Sequence, residues 1–206
     1  MFLTGITKFS QLSIFSELNN LDVITMDDDY ASICGITKEE LLAQMQPEIQ
    51  ALADRQGLGY GEAVEALARK YDGYHFSEKS PDVYNPFSLL NSLSDGKLTN
   101  YWFATGTPTM LTRLIGKYRI DPVTFDRGFE ATQDMFDVPA ETATNPVPLL
   151  YQSGYLTIKG TKKGGRFILG YPNEEVRDGF NKSLMPCYAT DDVVTNDTFL
   201  MAFCSV

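Results

Sequence analysis

The chain has 206 residues, 43% hydrophobic and 21% charged, with a formal net charge of −10. That composition suits one substantial globular domain or two small ones, and the acidic balance disfavours general coating of DNA, which needs clustered Lys and Arg. No apolar run approaches the roughly 18 residues of a membrane span. Met1-Phe2-Leu3 lacks the basic flank and length of a signal peptide. Cys34, Cys187 and Cys204 are odd in number and far apart, which points away from a disulfide framework and toward a reducing cytoplasm.

In chain order, residues 1–6 form a short apolar run ending at Thr4-Gly5, a buried strand or a helix start. Leu12, Phe15 and Leu18 predict a short helical turn, broken at Asn19-Asn20. Asp27-Asp28-Asp29 reads as the acidic N-terminus of a helix carrying Tyr30, Ile33 and Cys34, because Asp favours the positive end of the helix dipole. A calcium loop would need ligands at alternate positions and a Gly at the sixth, and that pattern is absent. Thr37 with Glu40 is a capping box. Leu41, Leu42, Met45, Ile49 and Leu52 continue an apolar stripe interrupted by Pro47, so two helices or one kinked helix are expected.

Gly57, Gly59 and Gly61 predict a turn. Residues 62–71 come next as an amphipathic helix with Val64, Leu67, Ala68 and Tyr71 inward. Gly73 is the natural left-handed residue after that helix, and Asp72 a bonding partner for nearby amides. Asn85-Pro86 predicts an N-cap with proline at the first helical position, ahead of a helix on which Phe87, Leu90 and Leu93 share a face. Residues 94–100 are a loop and 101–105 a short aromatic extended segment. Thr107-Pro108 opens a helix with Leu111, Leu114, Ile115 and Tyr118.

Residues 119–148, with irregular acids and Pro139, Pro146 and Pro148, read as a boundary between subdomains. Residues 149–153 end a short helix at Gly154. Two strands, 155–159 and 166–170, enclose a Lys- and Gly-rich turn. Asn173 caps a helix with Val176 and Phe180 inward, which Pro186 is expected to end. Residues 198–206 begin another apolar segment.

The chemistry of common sites is absent from the sequence. No G-x-x-x-x-G-K-[ST] run cradles phosphate, since Gly106-Thr107-Pro108 lacks the Lys and Lys162-Lys163-Gly164-Gly165 has the wrong order. No apolar strand ends in paired acids for magnesium, and no E-x-K pair comes after an acid as a nuclease centre requires. One His, His75, and three scattered Cys exclude the usual zinc spacings. No Ser or Cys sits in a nucleophile elbow. The chain alone is therefore expected neither to bind nor to hydrolyse ATP.

Ordered blocks of residues nevertheless carry a family resemblance. They are Phe2-Leu3-Thr4-Gly5-Ile6-Thr7-Lys8-Phe9, Tyr71-Asp72-Gly73-Tyr74, Val83-Tyr84-Asn85-Pro86 with Ser88, and Tyr101-Trp102 with Thr105-Gly106. Further on come the stretch from Leu149 through Tyr151, Gly154, Tyr155 and Thr157, then Gly170-Tyr171-Pro172-Asn173 and Glu175-Val176-Arg177. Together, over roughly residues 2–190, the chain resembles the bacterial AAA-ATPase-like family, whose ATPase-like region usually precedes a PD-(D/E)XK-type nuclease domain. The resemblance implies that residues 1–6 are a late core strand of a P-loop fold. Thr4, Thr7 and Lys8 would then be sensor-like residues near the γ-phosphate. ATP and magnesium are implied only for a full-length parent, not for this chain. With no βαβ units before that strand, the chain is expected to be a fragment or truncated product beginning in mid-domain.

The expected fold is α+β and predominantly helical. It comprises a truncated P-loop-type strand, a helical middle and a C-terminal winged-helix-like unit with a two-stranded hairpin. The expected division is 1–118, the ATPase-core remnant and helical lid, and 119–206, the winged-helix-like subdomain. Tyr71, Tyr74, Tyr84, Tyr101 and Trp102 are either a stacking surface or the core joining the helical lid to the C-terminal part of the chain. Trp102 is expected to be buried against Tyr74 or Tyr84. On the hairpin, alternation predicts Leu156 and Ile158 on one side and Tyr155, Thr157 and Lys159 on the other. Lys159, Lys162, Lys163 and Arg166 would lie near its exposed end, as a nucleic-acid contact or as a solvated hairpin tip. The function expected is a sensor, lid and winged-helix portion coupling nucleotide state to a nuclease. The partners would be the missing ATPase core and nuclease domain, with nucleic acid a possible ligand. The alternative is a non-enzymatic module that grips a protein partner through the aromatic surface and the winged helix.

Overall fold

The computed structural model describes residues 24–104, 118, 121, 123–136, 138 and 143–188. The fold is α+β, with helices accounting for more of these residues than strands and with two small antiparallel sheets. The expected strand at 1–6 and the helical segments around 11–21 and 107–117 lie outside the described residues, as does the apolar segment at 198–206. Among the described residues, no helix is long and apolar enough to cross a membrane.

The helical part begins with a single 3-10 turn, Asp28–Tyr30, capped by the Asp27 carboxylate on the Asp29 N–H at 3.0 Å. The acids sit at a helical N-terminus as expected, but the turn is too short to bury a face, and Tyr30 and Ile33 are exposed. Strand β1, Ile36–Thr37, leads into α1, Lys38–Gln44, through the predicted capping box. There Glu40 N–H donates to Thr37 Oγ1, and Thr37 N–H donates to Glu40 Oε2. Met45 breaks the chain before α2, Gln46–Gln56, with Pro47 in its first turn, so the apolar stripe makes two helices. Helix α3, Tyr60–Tyr71, buries Leu67 and Tyr71 completely.

Strand β2, Val83–Tyr84, pairs with β1, Ile36 opposite Tyr84. Helix α4, Pro86–Asp95, starts as the sequence predicts, Asn85 Oδ1 accepting from Ser88 N–H at 3.2 Å. Its buried face differs from the expected one. Leu89 and Leu93 are buried together with Ser88 and Ser92, while Phe87 and Leu90 are half exposed. Small hydroxyl side chains let α4 pack closely, so the inward stripe is rotated from the most apolar positions. Residues 101–104 form a short helix, α5, Tyr101–Ala104, where an extended segment was expected.

The stretch expected to be a boundary also contains regular structure: α6, Val123–Arg127, strand β3, Phe129–Thr132, and α7, Gln133–Phe136. Helix α8, Val147–Gln152, precedes β4, Thr157–Lys162, and β5, Arg166–Gly170. The expected two-stranded hairpin is therefore a three-stranded antiparallel sheet in the order β3-β5-β4, with Ala131 opposite Phe167. The last helix, α9, Glu174–Tyr188, is capped by Asn173 Oδ1 on Val176 N–H at 3.1 Å. It runs past Pro186, where the sequence predicts its end.

Two apolar clusters result. One, around Leu41, Ile49, Leu52, Leu67, Tyr84 and Leu89, joins α1–α4. The other, around Phe125, Leu150, Leu156, Leu169, Val176 and Phe180, fills the space between the three-stranded sheet and α9. Tyr74 and Val83 belong to this second cluster, although they are close in sequence to residues of the first. The segment between them therefore bridges both cores.

Candidate functional site

That bridge is where blocks 71–74, 83–88, 101–102, 149–157 and 170–177 meet. Helix α3 stops at Asp72, whose carboxylate accepts from Gly73 N–H at 2.8 Å. Gly73 has φ +92°, the left-handed conformation expected of it, and turns the chain toward α9. Asn173 Nδ2 donates to Asp72 O at 2.9 Å, so one asparagine both caps α9 and holds the end of α3. Asn85 N–H donates to Tyr71 O, and Tyr74 exchanges two backbone hydrogen bonds with Val83. His75 N–H donates to Thr157 Oγ1 at 2.8 Å, and the Thr157 hydroxyl donates back to His75 O at 2.9 Å. The loop from Tyr74 to Asp82 thereby covers a face of β4. This is why Tyr155, Leu156, Thr157 and Ile158 are all buried, where alternation had placed Tyr155 and Thr157 on the side opposite Leu156 and Ile158.

Lys159 was expected at the exposed end of the hairpin. A register shift between Ile158 and Gly160 bulges it out of the ladder and re-aims its side chain. Its ammonium donates to Pro172 O at 2.8 Å and Gly73 O at 3.2 Å, clasping both sides of the junction. Burial pulls its pKa below the ordinary lysine value, opposed by Asp82 and Asp72. Lys162 and Arg166 both pair with Glu130 on β3, Arg166 at 3.1 Å. Lys163 is exposed in the turn. The structure thus draws Lys159 away to the junction and leaves Lys162, Lys163 and Arg166 together at the hairpin end.

The aromatic block is mostly interior. Tyr71 and Tyr84 are 0% exposed, which removes them from any stacking surface. The Tyr71 hydroxyl donates to Thr99 O at 2.8 Å and accepts from Thr99 N–H at 3.0 Å. Trp102 is half-buried rather than largely buried. Its ring lies 5.0 Å from that of Tyr155, a partner that the two flanking blocks did not suggest. Pro86 takes the first position of α4. Thr4, Thr7, Lys8, Thr105 and Gly106 lie outside the described residues.

Glu175 lies at the centre, and in the sequence it stands out only as part of a matched block. It is 1% exposed, and its Oε1 accepts from Trp102 N–H at 2.8 Å. Burial raises its carboxyl above the ordinary 4.5, while the Ser88 hydroxyl and the N–H groups of Trp102 and Tyr101 oppose that rise. This acid explains why residues 101–104 coil: it satisfies N–H groups that the first turn of a helix leaves free. The cap comes from 73 positions away, beyond any local sequence signal.

Glu175 also makes stability depend on pH. Its folded pKa is raised, so its contribution to stability is full below 4.5 and is lost as pH rises through the folded value. Glu175→Gln removes this dependence while keeping an oxygen acceptor. The stability difference between wild type and Glu175→Gln should therefore fall as pH rises from about 4.5 toward neutrality, measured by urea unfolding at a series of pH values. A pH-independent difference would contradict the placement of this acid.

The single histidine also finds a partner here. His75 Nδ1 lies 2.9 Å from Asp82 Oδ1, beside a recess of about 310 Å³ that Lys159 and Thr161 also line. Among the described residues, no group of three or more His, Cys, Asp or Glu is placed to hold a metal ion.

No family model matches the chain, and no solved structure matches it. The chain is 36% identical over 191 residues to a protein of Azotobacter chroococcum mcd 1 named "Uncharacterized protein in vnfD 5'region". The match covers 90% of this chain and 34% of that protein, so the chain spans about a third of the length of this curated relative.

Proposed function

We propose that this chain is the sensor, lid and winged-helix portion of an AAA-ATPase-like protein, coupling nucleotide state to a nucleic-acid-processing domain. The observation that carries this reading is the convergence at the junction. Blocks 71–74, 83–88, 101–102, 149–157 and 170–177 are far apart in sequence, yet backbone and side-chain hydrogen bonds tie them into one interlock. A segment that relays a signal between two packed bodies needs such a discrete connection. The strand order β3-β5-β4, with α7 and α8 between β3 and β4, supports a winged-helix unit in which the first strand adds to the edge of the wing hairpin. In this reading Thr4, Thr7 and Lys8 approach the γ-phosphate, and ATP and magnesium are held by the nucleotide-binding core of a parent protein. A reading as a binding module has less support, because two tyrosines of its aromatic surface are fully buried.

The test uses a protein that carries both a nucleotide-binding core and this chain. Glu175→Ala, which removes the acceptor of the Trp102 backbone N–H, should leave ATP binding in place and weaken the effect of ATP on the downstream activity. An ATP response identical to wild type would contradict the coupling role. This chain by itself should release no phosphate from Mg·ATP.

A further inference from the structure

A basic groove lies away from the hairpin turn. Arg69 on α3, Arg127 on α6, Arg177 on α9 and Lys159 on the β4 bulge line one groove of about 420 Å³. Among the described residues, only two carboxylates, Asp126 and Glu174, line it with them, in a chain whose net charge is −10. Asp126 pairs with Arg177 at 2.9 Å. Glu174 reaches Arg69 only at 3.6 Å, and both side chains are largely exposed, so that pair holds its arginine weakly. Among the described residues, Arg127 has no carboxylate within ion-pair distance and is exposed. Phe125 and Tyr171 supply an apolar floor beneath these charges.

We propose that this groove binds a small phosphate-bearing ligand, a phosphate monoester or diphosphate, through Arg127 and Arg69 with Arg177 behind them. The planar guanidinium presents parallel donors that match phosphate oxygens, and a dianion draws several such groups at once. Arg69 is released from its long contact with Glu174 at little cost. Lys159 is already committed to two carbonyls, so it contributes charge at the groove wall rather than a free donor. The proposal does not rest on the nucleotide-coupling reading, because its premises are the arginine side chains that line this groove. The groove escapes sequence reading because its cations come from four distant segments.

The experiment is titration of the wild-type chain with pyrophosphate in magnesium-free buffer, followed by the arginine side-chain N–H signals in NMR. Saturable shifts of Arg127 and Arg69 are expected. Arg127→Ala should weaken binding about tenfold or more, and its exposure leaves folding intact, which circular dichroism checks. Lys163→Ala should leave the affinity unchanged. No saturable shift, an unchanged affinity in Arg127→Ala, or an equal loss in Lys163→Ala would each overturn the proposal. Equal shifts from chloride at matched ionic strength would reduce the effect to screening and overturn it as well.

Discussion

Replacing Gly73 by Ala is expected to destabilise the protein by about 2–3 kcal/mol, more than backbone strain alone explains. Two effects add. The residue has φ +92°, which an L side chain resists, and a Cβ there would collide with the Pro172 carbonyl oxygen and crowd Lys159 Nζ at 3.1 Å. That carbonyl is backbone, fixed by the turn into α9, so relief requires the junction itself to open. Gly57 supplies the control. It has φ +68° and nothing within 4 Å of its missing Cβ, so Gly57→Ala should cost only about 1 kcal/mol. Urea unfolding of the two variants measures the difference. Equal losses would mean that the approach of Pro172 to Gly73 carries no energy.

Truncating Phe180 to Ala is expected to cost about 3–5 kcal/mol, the usual range for a buried aromatic residue. Phe180 is 0% exposed and stands between three rings, with centroids 5.4 Å from Tyr171, 6.0 Å from Tyr155 and 6.2 Å from Phe125. Those rings come from the end of β5, the turn before β4, and α6. Removing Phe180 leaves a void bordered by three separate elements, and rigid rings collapse into it poorly. Phe180→Leu refills most of that volume and should recover most of the loss. The same chemical-denaturation measurement reads both variants. A loss under about 1 kcal/mol for Phe180→Ala would contradict its place in the core.

Local signals account for what could be read from the sequence. The capping box at Thr37 and Glu40, the split at Pro47, the N-caps Asn85 and Asn173 and the left-handed Gly73 all act within four residues of their own position. Strand β3 was obscured because Glu130 looks like part of an irregular acidic run. Its charge is in fact paired across the sheet with Lys162 and Arg166. The coiling of 101–104 depends on Glu175, and the aim of Lys159 depends on a bulge. Both are tertiary events with no trace in periodicity. The aromatic block admits a core reading from sequence alone, but which ring meets Trp102 depends on how α9 and the sheet pack.

The central claim is that the junction joins two cores through Glu175, and Trp102 is placed to report on it. Trp102 is the single tryptophan and its backbone N–H is held by that carboxylate. Urea unfolding followed by tryptophan fluorescence and by far-ultraviolet circular dichroism gives the most direct test. In wild type the two transitions should coincide. In Glu175→Ala the fluorescence transition should move to lower urea than the loss of helix, because the aromatic turn detaches before the cores unfold. If both signals of the variant move together, or neither moves, Glu175 does not join the cores and the claim fails.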